Sequence, residues 1–182
     1  MRLEPIKTPK KLWIRIAYWF SKRTYGKVLA PLNIIYARKS QLLSFAMKID
    51  KFEEKQNSLS PELCLFIKIA VAAQNGCSFC TDLALARVVK GKIGLEKFNV
   101  LLCKSLSAQT IFSEKENAIF AFVNEYAEIR KVTDKTFAEL KRLFNETEIV
   151  EMIAINAFEQ YFNALAIPLE IESDGLQKLA LT

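Results

Sequence analysis

Only five glycines and five prolines punctuate the 182 residues of this chain. A β-rich fold needs turn residues in quantity, so this scarcity argues against hairpins, sandwiches and barrels. No period-2 alternation convincing enough for a strand is found, nor a repeat of roughly 20–50 residues. What remains is an all-α fold. Apolar residues make up 51% of the chain, enough for a sizeable core. The length suits one domain, or one domain with an appended arm.

The punctuation that does exist marks helix ends. Leu12 to Phe20 is apolar and aromatic around Arg15, and Gly26 and Pro31 break the pattern after it. Ser40 can open a helix to about Glu54, with Leu42, Leu43, Phe45, Ala46, Ile49 and Phe52 facing inward. Ser60-Pro61 pairs a capping hydroxyl with a first-turn proline and starts a helix that Asn75-Gly76 stops. A further helix begins at or near Cys77 and runs to about Lys90; Leu95 to Ser107 is amphipathic. Ser113 with Glu116 and Asn145 with Glu148 have capping-box spacing, and Thr133-Asp134 opens a shorter helix between them. Ile149 to Leu165 is a long apolar helix halted by Pro168. Residues past Leu169 read as a tail. The expected organisation is an arm over 1–39, a helical domain over 40–170 and a tail over 171–182.

Charge is unevenly spread. The first forty residues carry ten Lys or Arg against the single acid Glu4, whereas the remainder is mildly acidic. The basic character belongs to the arm. Its Trp13, Ile16, Trp19 and Phe20 lie beside Lys10, Lys11, Arg15, Lys22 and Arg23, a pattern seen in segments that lie on membrane surfaces. Packing on the domain or on a neighbouring subunit is the favoured reading of these aromatics. A nucleic-acid partner is not expected.

No apolar run approaches the roughly 20 residues that span a bilayer. The longest, Leu63 to Ala73, contains Lys68. No apolar stretch with a small-residue cleavage site follows the basic N-terminus. A soluble protein of the reducing cytoplasm is the expectation, and there a close cysteine pair is more often catalytic or metal-binding than structural.

Histidine is absent, which excludes a Ser-His-Asp triad and a His-rich metal site. Of the four cysteines, Cys64 and Cys103 sit in apolar helical stretches and read as core, while Cys77 and Cys80 form a Cys-x-x-Cys pair after the Asn75-Gly76 break. Residues three apart on a helix share a face, with Cβ atoms roughly 5–6 Å apart, so modest adjustment can close a disulfide. A first-turn cysteine faces unpaired N–H groups and the positive dipole end, which favours the thiolate. A zinc site needs four ligands and finds no second pair here. Lys90-Gly91-Lys92 lacks the rest of a phosphate loop and reads as a basic turn, and the Phe-rich helices read as core. No cofactor and no metal are expected.

Leu65-Phe66-Ile67-Lys68-Ile69-Ala70 followed by Asn75-Gly76-Cys77-Ser78-Phe79-Cys80-Thr81-Asp82 resembles the core of the alkyl hydroperoxidase D (AhpD)-like, carboxymuconolactone decarboxylase-like proteins. Ser113 to Glu116, Val132-Thr133-Asp134, and Glu148 to Glu151 leading to Asn163 through Leu169 are similar to that family's order too. The resemblance covers roughly residues 40–170. It implies an all-α fold built round a Cys-x-x-Cys helix hairpin and obligate homo-oligomers such as dimers, trimers or hexamers. It also implies thiol-dependent peroxide reduction or disulfide exchange, with electrons from a dithiol carrier protein or small thiol. By resemblance Cys80 is the attacking thiolate and Cys77 the resolving partner, whereas the helix-start argument favours Cys77 as nucleophile.

The family activates its nucleophile through a glutamate on the preceding helix and a histidine four residues after the second cysteine. In this sequence those positions are Leu65 and Ala84. Glu62, one turn before Leu65, is the candidate substitute, and is also simply a first-turn acid beside a helix dipole. Asp82 is a second accessory candidate, one that would disfavour a thiolate. The expectation is a thiol-disulfide oxidoreductase with weak peroxidase activity. The alternatives are a helical oligomeric scaffold without catalysis and a membrane-surface interaction protein of the same fold.

Overall fold

A computed structural model describes residues 1–55, 58–102 and 111–180. The order is α1 (Leu12–Tyr25), a π-helical turn (Leu32–Tyr36), α2 (Ser40–Lys55), α3 (Pro61–Asn75), α4 (Ser78–Lys90), α5 (Glu96–Leu102), α6 (Glu114–Ile129), α7 (Asp134–Leu143), α8 (Glu146–Ala166), a 3₁₀ turn (Ile167–Leu169) and α9 (Leu176–Ala180). Among the described residues there is no strand. The fold is all-α, as the scarcity of turn residues requires.

The capping signals act as the sequence predicts. Ser60 accepts from the Leu63 N–H with Pro61 in the first turn. Ser113 with Glu116, and Asn145 with Glu148, form complete capping boxes at α6 and α8. Thr133 caps α7. Each satisfies N–H groups that a helix start otherwise leaves open.

α3 is the centre of the molecule. Cys64 and every residue from Phe66 to Ala72 are buried, and the helix packs against α8, α4 and α6. Phe66 meets Phe112 edge-on with ring centres 5.1 Å apart. Cys64 thus takes the core position expected of it, whereas Cys103 lies outside the described residues. The buried Glu151 of α8 accepts from Ser58 N, Ser58 Oγ and Leu59 N at 2.7, 2.9 and 3.1 Å, which fixes the approach to α3.

Three features depart from the helical reading. Phe45, expected inside, is 48% exposed, because the face of α2 that turns inward carries Ala46 and Ile49; Phe45 instead lies edge-on to Tyr161 at 5.4 Å. The turn over Leu32–Tyr36 is helical although Pro31 immediately precedes it. Beyond Leu169 the chain folds back: Ile171 and Leu176 are buried, and α9 packs on α4.

The N-terminal and C-terminal segments are tied to the bundle and to each other. Asp174 Oδ2 accepts from Ala30 N at 2.8 Å, and Lys27 pairs with the same carboxylate at 2.7 Å. Ile14, Tyr18 and Leu32 form a small apolar cluster of their own. No helix among the described residues is long and apolar enough to cross a membrane.

Candidate active site

Two residues separate α3 from α4. Gly76 ends α3 in the left-handed region at φ +71, which lets Cys77 N bond back to Ala72 O at 2.9 Å and turns the chain sharply. Cys77 is therefore the N-cap of α4, and its Sγ accepts from Cys80 N at 3.4 Å. The Cα atoms of Cys77 and Cys80 are 5.3 Å apart and their sulfurs lie within bonding distance. Both side chains are buried among Ala72, Phe79, Ala86 and Leu176.

The two cysteines line different cavities. Cys80 lines a chamber of about 480 Å³ whose walls come from α1, the Leu32–Tyr36 turn, α2, α3, α4 and α8. Most of that wall is apolar: Phe20, Leu29, Ile35, Leu43, Phe79, Phe162. Cys77 lines a second, more open groove of about 400 Å³ with Gly76, Ser78, Thr81 and Asp82.

One part of the chamber wall is charged. Lys68, Glu159, Asp50 and Arg87 all line it. Lys68 Nζ lies 2.6 Å from Glu53 Oε2 and 3.9 Å from Glu159 Oε2. Arg87 pairs with Asp50 at 3.0 Å, and Asn163 Nδ2 donates to Glu159 Oε1 at 2.7 Å. Burial pushes the Glu159 carboxyl above the ordinary carboxylate range, with the Lys68 charge and the Asn163 hydrogen bond pulling part of the way back. Burial works against the Arg87 charge, and pairing with Asp50 more than offsets it. The Tyr36 hydroxyl is pushed up by burial, and the nearby Tyr161 and Asp50 push it the same way.

Of the sequence candidates, Cys77 and Cys80 come together. Glu62 does not join them: it pairs with Lys97, which also holds Glu116 at 2.7 Å, and it lines neither cavity. Asp82 reaches the Cys77 groove, where its two oxygens accept from Leu176 N and Gln177 N, both at 2.9 Å, and start α9. At the relay positions, Ala84 lines the chamber, while Leu65 packs on the main core.

Lys68 and Glu159 were not singled out from the sequence. A signal was there: Asn156, Glu159 and Asn163 recur at the core spacing of α8, and all three are buried. Lys68 likewise interrupts an otherwise apolar run. Among the described residues no group of three or more His, Cys, Asp or Glu side chains is placed to hold a metal ion.

No family model matches the chain. The uncharacterized protein YnjA of Escherichia coli K12 is 24% identical over 173 residues, covering 92% of each chain. Among solved structures, an uncharacterized peroxidase-related protein from Silicibacter sp. TM1040 superposes with a TM-score of 0.81 at 14% identity, over 97% of this chain and 93% of the other. A peroxidase-related protein from Ralstonia eutropha JMP134, described as an alkylhydroperoxidase AhpD core, superposes with a TM-score of 0.77 at 19% identity, over 99% of each chain. With this helix order, and with the cysteine pair at the start of α4, the chain has the AhpD-like helical fold of the peroxidase-related proteins.

Proposed function

We propose that the protein is a thiol-disulfide oxidoreductase that cycles the Cys77–Cys80 pair, reducing an organic hydroperoxide at Cys80 with electrons from a dithiol donor. The observation that carries this reading is the division of a close cysteine pair between two cavities. Substrate meets Cys80 in the apolar chamber. The donor thiolate attacks Cys77 from the open groove, breaks the sulfur–sulfur bond and releases Cys80 as the leaving thiolate. The cycle requires no bound cofactor and suits a reducing compartment such as the cytoplasm. The AhpD-like fold and its peroxidase-related neighbours support the same chemistry.

Steady-state turnover of cumene hydroperoxide with dihydrolipoamide tests it. Cys80→Ser should abolish turnover. Cys77→Ser should permit oxidation of Cys80 but no cycle. Turnover that survives Cys80→Ser contradicts the reading. A second reading, a helical scaffold without catalysis, is favoured by Leu65 and Ala84 at the relay positions; it predicts no turnover in the natural protein.

Assembly is part of the proposal. Leu12, Ile16, Trp19 and Phe20 recur at helical spacing on α1, all exposed, with Trp19 edge-on to Phe20. An apolar stripe of this kind is suited to a second copy of the chain more than to water. The cations of the same helix keep contact with an anionic membrane surface as the competing use of this stripe.

A further inference from the structure

The relay positions Leu65 and Ala84 cannot move a proton, yet the chamber that Cys80 lines contains groups that can. Lys68 enters from α3 and Glu159 from α8. We infer that Glu159, held by Asn163 and Lys68, is the proton-transfer group of this site, taking the proton of the Cys80 thiol and returning it to the leaving oxygen of the substrate. The inference rests on the redox reading above and adds to it the group that carries the proton.

Position supports it first. Cys80, Ala84, Lys68 and Glu159 line one cavity, and the relay position in it carries only the methyl group of Ala84. Charge supports it next. Glu159 is 3% exposed and faces Lys68 from α3, Arg87 from α4, Asp50 and Glu53 from α2, and Asn163 from its own helix. Arg87 is committed to Asp50, and Lys68 lies closer to Glu53 than to Glu159. Two cations face three carboxylates here, and burial pushes the Glu159 carboxyl upward. A carboxyl with raised proton affinity can accept from a thiol and donate to an alkoxide near neutral pH.

The steps balance. Reduction of the disulfide oxidises the donor dithiol; its two protons go to Cys77 and to the released Cys80 thiolate, and the Cys80 thiol so formed then passes its proton to the Glu159 carboxylate. The Cys80 thiolate attacks the distal oxygen of a hydroperoxide, the oxygen–oxygen bond breaks, and Cys80 becomes a sulfenic acid. The alkoxide takes the Glu159 proton and leaves as an alcohol. Cys77 then attacks the Cys80 sulfur, its own proton leaves with the hydroxide as water, and the disulfide reforms. Each turn oxidises one donor dithiol and reduces one hydroperoxide to alcohol and water.

Rapid mixing of the reduced protein with cumene hydroperoxide, quenched in acid and read by mass spectrometry at Cys80, measures the first oxidation. Alkylation of Cys80 by iodoacetamide above the thiol titration range is the control, because the thiolate is already formed there and iodide leaves without a proton. Glu159→Gln, which keeps the side chain's shape, should slow oxidation at neutral pH about 100-fold or more and leave that alkylation unchanged. If Glu159→Gln fails to fold, the natural protein carries the test: its oxidation rate should pass through a maximum and fall as Glu159 ionises, while alkylation only rises with pH. An unchanged oxidation rate in Glu159→Gln, or oxidation and alkylation rising together with pH, overturns the inference. A reversible disulfide formed with diamide alongside a rate indifferent to Glu159→Gln removes this inference alone. Failure to form that disulfide removes the redox reading and the inference together.

Discussion

Glu116 and Glu159 are both buried carboxylates, and their surroundings drive them in opposite directions. At Glu116 burial raises the proton affinity, but Lys97 at 2.7 Å and the two Ser113 hydrogen bonds outweigh it, so the carboxyl titrates below its ordinary value of 4.5. Its stabilising contribution is therefore full above that value and is lost as pH falls through the folded-state value. At Glu159 burial wins, so the folded chain gives up this proton at a higher pH than the unfolded chain does. That contribution is full below 4.5, the ordinary value, and is lost as pH rises towards the folded-state value. In urea unfolding, Glu116→Gln should cost on the order of 1–2 kcal/mol at neutral pH and less in acid. Glu159→Gln should gain on the natural protein as pH rises above the ordinary carboxyl value of 4.5. Two curves with the same slope would contradict these assignments. The cysteine pair was readable in the sequence because its geometry is local, set by a three-residue spacing and the break at Gly76. Lys68 and Glu159 were not, because only the packing of α3 against α8 brings them to the wall that Cys80 shares.

At the scale of elements, the turn between α3 and α4 positions the site. Gly76 holds φ +71 with open space where a Cβ would stand, so a substitution there meets backbone strain and no clash. Gly76→Ala should cost about 1–2 kcal/mol in urea unfolding, since the left-handed region is that much less favourable for a residue with a Cβ. Gly91 sits in the right-handed region and does not depend on glycine in this way. Its Cβ would lie 3.2 Å from Arg87 O, a tight contact of a different kind. No loss on Gly76→Ala would contradict the role given to this turn. Starts of helices were readable at Ser60, Ser113, Thr133 and Asn145 because each cap bonds within three residues of itself. The Leu32–Tyr36 turn and α9 were not readable. α9 starts on the carboxylate of Asp82, ninety-four positions earlier in the chain, and a contact of that range leaves no local pattern.

For the whole molecule, the segment before α2 helps to build the chamber, since Ala17, Phe20 and Tyr25 of α1 line it; after α8, Asp174 clasps the chain at Ala30. The composition made the all-α class readable, since so few glycines and prolines cannot turn a sheet. Enclosure of Cys80 by α1 was not readable, because an amphipathic aromatic helix favoured for packing does not say whether it covers its own domain or a second subunit. Light scattering at micromolar concentration should find a dimer or larger, and Trp19→Ser with Phe20→Ser should shift it towards monomer; a monomeric natural protein would contradict the use proposed for the α1 stripe. The central claim is that Cys77 and Cys80 form a working redox pair, and intact-mass and peptide mass spectrometry of the reduced protein before and after brief exposure to cumene hydroperoxide tests it most directly. The account predicts a loss of two hydrogens, a Cys77–Cys80 linked peptide, and full return of both thiols with dithiothreitol. A protein that keeps both thiols free, or that oxidises at Cys64 or Cys103 while Cys77 and Cys80 stay reduced, would contradict it.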